Sequence, residues 1–433
     1  MKTSLKVIIL FLIVFNFRIP YFYDTAVLSV IISLLYYIIV RRSIPFYQFN
    51  SRYVVTILAA TVAMICIVML ITVFHGRYDF TLYMKRFTLQ LFMLFALATA
   101  YPLMIEGKEE QALEETLKII CYTFAWEGAI HLTGFIYNPF GEWLIRLLSE
   151  DRKIVDSYVS DYYIHRFRFY AMSGSVFFEL PAAMGVACIV YFRLLLERGQ
   201  KYMGYFISIV VLMLLLAGIM LSGRTGFIGL FTGLLYYIVF MSRSGWKKDI
   251  WRLVAASALL GFIFYSALSD KQKNDFNEQL LPFALEGYYN WKEYGTFFIR
   301  SADVTMDSHY FPLKAETIQK GHGVEAMSVP FYRHTDAGYM NALVFGGIFY
   351  LLALVAYQCL YFIKPLSLAR LRVDANGRRR DFWFFTILLA YMFVMEYKGV
   401  ALGSQHLTEV VFLFICSAYI TQHYFREDYG QDS

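Results

Sequence analysis

One short segment, residues 333–339, combines side chains that could move a proton. Arg333, His334 and Asp336 lie within four positions, and Tyr339 follows three positions after Asp336. Histidine exchanges a proton near neutral pH, so His334 is a candidate general base. Asp336 could orient that imidazole or accept the proton itself. The alternative interpretation is a polar cluster at a membrane surface with no catalytic role.

A second segment places two arginines a short distance before a carboxylate. Arg166 and Arg168 precede Glu179 and Pro181, at the start of a long apolar run. Glu179 is therefore predicted about one turn inside a membrane, where a charged side chain costs about 2–4 kcal/mol. That cost indicates a function or a specific partner. The alternative is that Glu179 lies at the interface and pairs with one of the arginines.

A third feature is an arginine in a tight connection between two apolar runs. Arg224 lies in the sequence Leu-Ser-Gly-Arg-Thr-Gly, residues 221–226, which leaves almost no loop. Glycines allow a close backbone approach, and a guanidinium suits bidentate contact with phosphate oxygens. We therefore expect Arg224 to bind phosphate. The alternative is an arginine that only sets the depth of the spans.

Other polar patterns in the sequence are weaker evidence for a reactive or binding site. Glu127 and His131 are four positions apart, share a helical face, and predict a polar contact between helices, with catalysis as the minority reading. Residues 321–326 imitate a dinucleotide fingerprint, but no strand precedes them. Three histidines in polar segments lack the spacing of metal ligands, and no nucleic-acid surface is indicated. These histidines are His165, His309 and His322.

The elements that must position these residues are membrane helices. The 433-residue chain is 59% hydrophobic and only 17% charged, with a mean hydropathy of +0.51. This composition excludes a soluble enzyme, a secreted disulfide scaffold and a disordered chain. We expect an all-α polytopic membrane protein with about 12 transmembrane helices, built as a single membrane domain over residues 1–433.

Apolar runs of suitable length give the predicted spans, and the first is expected to be a retained helix rather than a signal peptide. Basic residues concentrate in the connections on the side of the N-terminus, above all between Lys364 and Arg380, so both termini are predicted to be cytoplasmic. The spans are Leu5–Ile19, Thr25–Val40, Tyr53–Phe74, Phe87–Ile105, Leu113–Phe135, Val176–Leu196, Met203–Leu221, Thr225–Met241, Leu253–Leu268, Gly338–Ile363, Phe382–Tyr397 and Leu407–Tyr424.

Two longer segments are predicted to face outward, residues 137–175 and the larger 269–337. Outward segments held by a helical scaffold are candidates for function, so the larger one is expected to cap the site. It carries six aromatic residues among its charges, which suit either stacking on sugars or the core of a folded cap. These are Tyr288, Tyr289, Trp291, Tyr294, Phe297 and Phe298.

Three motifs in this order resemble a known family. Arg168 is followed by Ser-Gly-x-x-Phe-x-Glu-x-Pro over residues 173–181, then by the turn at residues 221–226. A long outer loop then ends in His-x-Asp-x-Gly-Tyr over residues 334–339. With the span count and loop placement, which cover most of the chain, this pattern is similar to the O-antigen polymerase and ligase superfamily of Wzy-type polymerases and lipid A-core ligases.

The resemblance implies a fold similar to GT-C glycosyltransferases and an active site that faces the periplasm. It implies transfer of a glycan from undecaprenyl pyrophosphate to a sugar hydroxyl at the bacterial inner membrane, without nucleotide sugar, metal or other cofactor. Arg166, Arg168, Arg224, Arg333 and Tyr339 would then bind pyrophosphate or glycan. The base would be His334, with Asp336 or Glu179 as competitors. The implied partners are the lipid-linked oligosaccharide and the bilayer, and a chain-length regulator is left open.

One departure from the family pattern favours one of its two branches over the other. Ligases of this family typically carry His-Asn where this chain reads His334-Thr335-Asp336. This favours a polymerase that extends O-antigen, capsule or exopolysaccharide, with a ligase as the nearest alternative. A flippase of lipid-linked oligosaccharides is the alternative from another class. It is disfavoured because the charges concentrate in two outer loops and a turn rather than along a central cavity.

Overall fold

A computed structural model describes residues 3–15, 17, 25–41, 51–77, 82–148, 178–196, 205–241, 246–299, 303, 305–324, 326–329, 332, 335–373 and 377–428. The described residues form helices and their connections and contain no strand, which confirms the all-α prediction. The chain divides into two compact units, Met1–Leu28 with Glu114–Phe297, and Ser29–Leu113 with Phe298–Ser433.

The first unit contains four long helices, several shorter apolar ones, and a series of short helical turns after Ala267. Its helices are α1 (Thr3–Val14), most of α5 (Ala112–Ile136), α6 (Asn138–Leu148), α7 (Glu179–Leu196), α8 (Tyr205–Ser222), α9 (Gly226–Phe240), α10 (Trp246–Ala267), α11 (Asp270–Asp275), a π-turn (Phe276–Leu280), α12 (Leu281–Ala284) and α13 (Glu286–Tyr294).

The described part of the second unit contains five long helices with shorter elements between them. Its elements are most of α2 (Thr25–Tyr36), a π-turn (Tyr37–Arg41), α3 (Arg52–Phe74), α4 (Leu82–Ile105), a 3₁₀ turn (Glu109–Gln111), a π-turn (Thr305–His309), α14 (Ala315–Lys320), a 3₁₀ turn (Ala326–Ser328), α15 (Gly338–Leu371), α16 (Arg380–Lys398) and α17 (Gln405–Asp428).

Among the residues that the structure describes, five helices are long and apolar enough to cross a membrane. They are Arg52–Phe74, Tyr83–Ile105, Glu109–Ile136, Glu179–Leu196 and Gly338–Leu371. The prediction of a helical membrane protein is confirmed at this level. The count of twelve spans and the cytoplasmic position of the termini stay predictions.

In the first unit, α7 and α9 pack at the distance that only glycine permits. A Cβ on Gly229 would lie 2.3 Å from the Cα of Gly185, and one on Gly226 would lie 2.8 Å from the carbonyl oxygen of Pro181. Small residues let helix backbones approach closely where there is no hydrophobic drive for association, as in a lipid environment. This contact fixes the start of α9 against the first turn of α7.

The first helix is tied to α5 by a buried ion pair. Lys6 Nζ donates to Glu115 Oε1 at 3.1 Å, and Lys118 Nζ lies 3.7 Å from the other carboxylate oxygen. The rings of Phe15 and Phe124 meet at 5.4 Å further along both helices. Because contacts advance in the same direction on both helices, α1 and α5 run parallel.

In the second unit, α15 is broken inside the predicted span Gly338–Ile363. Gly346 and Gly347 leave helical geometry, and Gly347 has φ +67°. Tyr339 contacts Phe393 and Gln358 contacts its neighbour Met392. In a straight helix, Tyr339 and Gln358 would be about 28 Å apart. The predicted continuous span is therefore two helices at an angle, with the longer one from Gly347 to Leu371.

The backbone groups freed by this break are satisfied by a distant segment. The amides of His322 and Gly323 donate to the carbonyls of Val344 and Phe345, each at 2.8 Å. The run Gly-His-Gly, which only imitates a phosphate fingerprint, thus has a structural use. A Cβ on Gly321 would lie 2.4 Å from the Phe345 carbonyl oxygen, so glycine is required there.

The large polar segment, residues 269–337, forms short helices in its described part, but four of the six aromatic side chains singled out in it are not core. Tyr288, Trp291, Tyr294 and Phe297 are between 51% and 70% exposed. The interpretation of these four rings as the core of a folded cap is therefore not supported.

We expect Gly229→Ala to lower the stability of the protein by about 1–3 kcal/mol, because the added methyl group collides with the backbone of α7. Gly261→Ala is the matched control, since it is also helical and its nearest neighbour would be Met213 Cε at 3.9 Å. Thermal unfolding in detergent should show a lower midpoint for the first variant only. Equal midpoints would mean that α7 and α9 are further apart.

Candidate functional site

Arg224 lies in a three-residue connection between two apolar helices. The helix α8 ends at Ser222, where the Gly223 amide donates to the Ile219 carbonyl at 2.9 Å. The Phe227 amide then donates to the carbonyl of Arg224 at 3.0 Å and starts α9. These bonds fix the backbone on both sides of Arg224, so the side chain projects from a rigid position.

The guanidinium of Arg224 has two partners that the sequence did not reveal. Its Nη1 forms a charged hydrogen bond with the carboxylate of Glu286, and its Cζ lies 4.5 Å from the centre of the Phe283 ring. Only 17% of the Arg224 side chain and 22% of the Glu286 side chain are exposed. Arg224, which was predicted to bind phosphate, therefore contacts a carboxylate and the face of an aromatic ring from its own chain.

The segment that carries Glu286 is fixed to the ends of three helices. Leu280 packs in one buried cluster with Phe135, Leu221 and Leu268, which belong to the ends of α5, α8 and α10. Gln272 Nε2 also donates to the Ile136 carbonyl at 2.6 Å. Apolar packing thus fixes the segment that carries Glu286. The ion pair joins this segment to the turn that carries Arg224.

Glu179 is the first residue of α7 and is half-buried. The contact between Pro181 and Gly226 brings this helix start against the Arg224 turn. Two predicted site residues, Glu179 and Arg224, thus lie at the same end of the α7–α9 pair. Arg166 and Arg168, predicted to act with them, lie outside the described residues.

In the second unit, Asp336 is paired with His309, one of the histidines whose spacing indicated no site. The Asp336 amide donates to His309 Nδ1 at 3.0 Å, and its carboxylate Oδ2 lies 3.8 Å from His309 Nε2. Thr335 Oγ1 also donates to the His309 carbonyl at 2.8 Å. The predicted partners Arg333 and His334 lie outside the described residues.

This arrangement assigns different roles to the two ring nitrogens of His309. Because Nδ1 accepts the amide hydrogen of Asp336, a neutral imidazole carries its proton on Nε2, the atom that faces the carboxylate. The Asp336 side chain is 66% exposed, and that of His309 is 16% exposed. The carboxylate is therefore the more accessible member of the pair, and the imidazole lies beside it.

Tyr339 is positioned as a structural residue. Its hydroxyl donates to the Phe393 carbonyl at 2.9 Å and so ties the start of α15 to α16. Beside it, Tyr310 stacks on Tyr397 with ring centres 4.6 Å apart and donates to the Tyr397 carbonyl at 2.7 Å. Burial raises the pKa of Tyr310 above its usual value, which keeps this hydroxyl a donor.

A buried glutamate at the end of α16 was also missed. One carboxylate oxygen of Glu396 accepts the amides of Ala401 and Leu402, each at 2.6 Å. The other oxygen faces Gly338, where a Cβ would lie 2.2 Å away. Glu396 therefore fixes the turn after α16 and the start of α15. An ionisable residue inside an apolar run was a readable signal of such a role.

Glu127 and His131 are both buried and share one face of α5, as predicted. His131 Nδ1 contacts the Glu127 backbone carbonyl at 2.9 Å. No group of three or more histidine, cysteine, aspartate or glutamate side chains in the described part of the chain could hold a metal ion.

Comparison of the chain with protein-family models, curated proteins and solved structures found no match in any of the three.

The ion pair at Arg224 predicts that Glu286→Gln makes this guanidinium more reactive. Labelling with phenylglyoxal, read by peptide mass spectrometry, should rise at Arg224 in the variant because a neutral amide holds the guanidinium less strongly. Glu293→Gln is the control, since Glu293 is on the same short helix and exposed. If labelling of Arg224 rises equally in both variants, or in neither, Glu286 is not its partner in solution.

Proposed function

We propose that this chain is a bacterial polysaccharide polymerase. It transfers a glycan from undecaprenyl pyrophosphate to the terminal hydroxyl of another lipid-linked repeat unit, at the outer face of the inner membrane. The motif order resembles Wzy-type polymerases, and the helical membrane fold is compatible with a lipid-linked donor. The observation that carries the proposal is the position of Arg224, a largely buried guanidinium fixed in a short turn between two apolar helices.

The surroundings of Arg224 support a role with pyrophosphate. A guanidinium at a helix connection can reach a headgroup while the lipid tail stays among apolar surfaces. Glu286 accepts a hydrogen bond from the guanidinium when no other anion is bound. A pyrophosphate carries more negative charge than one carboxylate, so it would displace Glu286 and bind two guanidinium N–H groups.

The same interaction supports the chemical step. A pyrophosphate leaving group gains negative charge as the glycosidic bond breaks. A fixed guanidinium aimed at that charge lowers the energy of the transition state more than that of the bound donor. Arg166, Arg168 and Arg333 are further candidates for the same role, and Glu179 lies at the helix end beside the Arg224 turn.

The acceptor hydroxyl must lose a proton, and the candidates are His334, Asp336 and Glu179. The geometry of the second unit favours Asp336, because its carboxylate is exposed and its backbone is fixed by the hydrogen bond from its amide to His309 Nδ1. A carboxylate in this state accepts the hydroxyl proton as the new bond forms. The proposal needs no metal ion and no nucleotide sugar.

The first test is complementation of a strain that lacks the gene, with surface glycans resolved by chain length. We expect Arg224→Ala to reduce chain extension by on the order of a hundredfold or more, since one stabilising donor is lost. Arg146→Ala, an exposed arginine of the same unit, is the control and should restore long chains. Immunoblots must show equal amounts of both variants in the membrane.

The gene deletion itself separates the alternatives. A polymerase is supported if acceptors carry single repeat units. Long chains left on undecaprenyl pyrophosphate would instead identify a ligase, and single units trapped on the cytoplasmic side would identify a flippase. Near-normal chains with Arg224→Ala would remove Arg224 from the site.

The assignment of the base predicts that Asp336→Asn slows chain extension by about a hundredfold or more, because an amide cannot accept the proton. Asp307→Asn is the matched control, since Asp307 is exposed in the same polar segment. The rate is measured with purified protein in vesicles and a lipid-linked repeat unit as substrate. Equal rates for both variants would transfer the role to His334 or Glu179.

A further inference from the structure

An apolar groove runs along the second unit between α3 and the longer part of α15. It encloses about 410 Å³ and is lined by Leu70, Ile71, Phe74, Phe349 and Ala353, with Lys320 at one end. Leu70, Phe74 and Phe349 are between 69% and 76% exposed. This volume lies within the range of ligand sites in proteins.

The groove begins at the helix break, since Gly346 is among its lining residues. A Cβ on Gly346 would lie 2.6 Å from the Ile71 side chain, so glycine lets α15 lie against α3. Gly347 has φ +67° and packs against the Gln319 carbonyl. From there the longer part of α15 continues beside α3, and the Tyr357 hydroxyl lies 2.8 Å from Thr61 Oγ1. Gln319 and Lys320, the last residues of α14, line the end of the groove at the break.

Several basic side chains lie near the same end of the groove. His75 Nε2 lies 3.2 Å from the Lys320 carbonyl, and a Cβ on Gly323 would lie 3.0 Å from the His75 side chain. Arg77 follows three positions after Phe74, which lines the groove. Partial burial lowers the pKa of His322, and the charges of His75, Lys314 and Arg77 lower it further, while Glu316 opposes them. Basic side chains thus outnumber acidic ones here.

We propose that this groove binds an anionic glycerophospholipid, with one acyl chain along Leu70 and Phe349 and the phosphate at Lys320 and Arg77. An apolar channel that ends at cations is complementary to an amphipathic anion, and each basic residue near an anionic headgroup contributes to binding. The site is made only of residues of the second unit. It is independent of the proposed polymerase activity.

The test is native mass spectrometry of the purified full-length chain, titrated with phosphatidylglycerol or phosphatidylcholine that carry identical acyl chains. We expect phosphatidylglycerol to bind more tightly. Lys320→Gln and Arg77→Gln should each weaken it about fivefold and leave phosphatidylcholine unchanged. Lys320→Arg should keep the preference, because it keeps the charge.

Two further variants make the result specific to the groove. Ala353→Phe adds a ring to the groove wall and should lower the binding of both lipids. Lys292→Gln removes an exposed lysine of the first unit and should change nothing.

Two results would overturn the assignment. Equal binding of the two lipids, or an unchanged preference after loss of Lys320 and Arg77, would mean that the cations do not select the headgroup. The second result is displacement of phosphatidylglycerol by undecaprenyl phosphate at equal concentration. If this displacement is lost in Lys320→Gln, the groove is a polyprenyl site instead.

Discussion

A helix that stops and restarts among apolar helices leaves backbone groups that need hydrogen-bond partners, and this requirement shapes the second unit. The break at Gly346 and Gly347 frees the carbonyls of Val344 and Phe345, which accept the amides of His322 and Gly323. These donors belong to a polar segment that must therefore lie on the break. The same bonds place Lys320, two positions before His322, at the end of the groove beside α3.

The first unit depends on an equivalent constraint, which is close contact between glycine-bearing helices. Because Gly229 and Gly226 allow α9 to touch α7, the connection before α9 has one position and Arg224 has little freedom. A guanidinium fixed in this way needs a counter-charge at all times, and Glu286 supplies it in the chain alone. Under the proposed function, binding of the donor at Arg224 would be an exchange of anions around a stationary cation.

The sequence was informative where local pattern determines structure. Apolar runs of suitable length located the long helices, and the turn around Arg224 was readable because glycines and a lone arginine interrupt two such runs. Partners distant in sequence were not readable. Arg224 and Glu286 are 62 positions apart, and His309 and Asp336 are 27 apart, so only packing brings them together. The break in α15 was hidden because two glycines inside an apolar run are compatible with an unbroken membrane helix.

The buried ion pair of Lys6 sets an order of events during synthesis. Its carboxylate partner, Glu115, is 109 positions later in the chain. At 5–20 residues per second, the ribosome needs about 5 to 20 s to supply that partner after Lys6 has been made. During this interval the ammonium group of the first helix must stay hydrated or at the level of the lipid headgroups. The first helix therefore completes its docking only after the fifth has emerged, although it is the first element of the chain to be made.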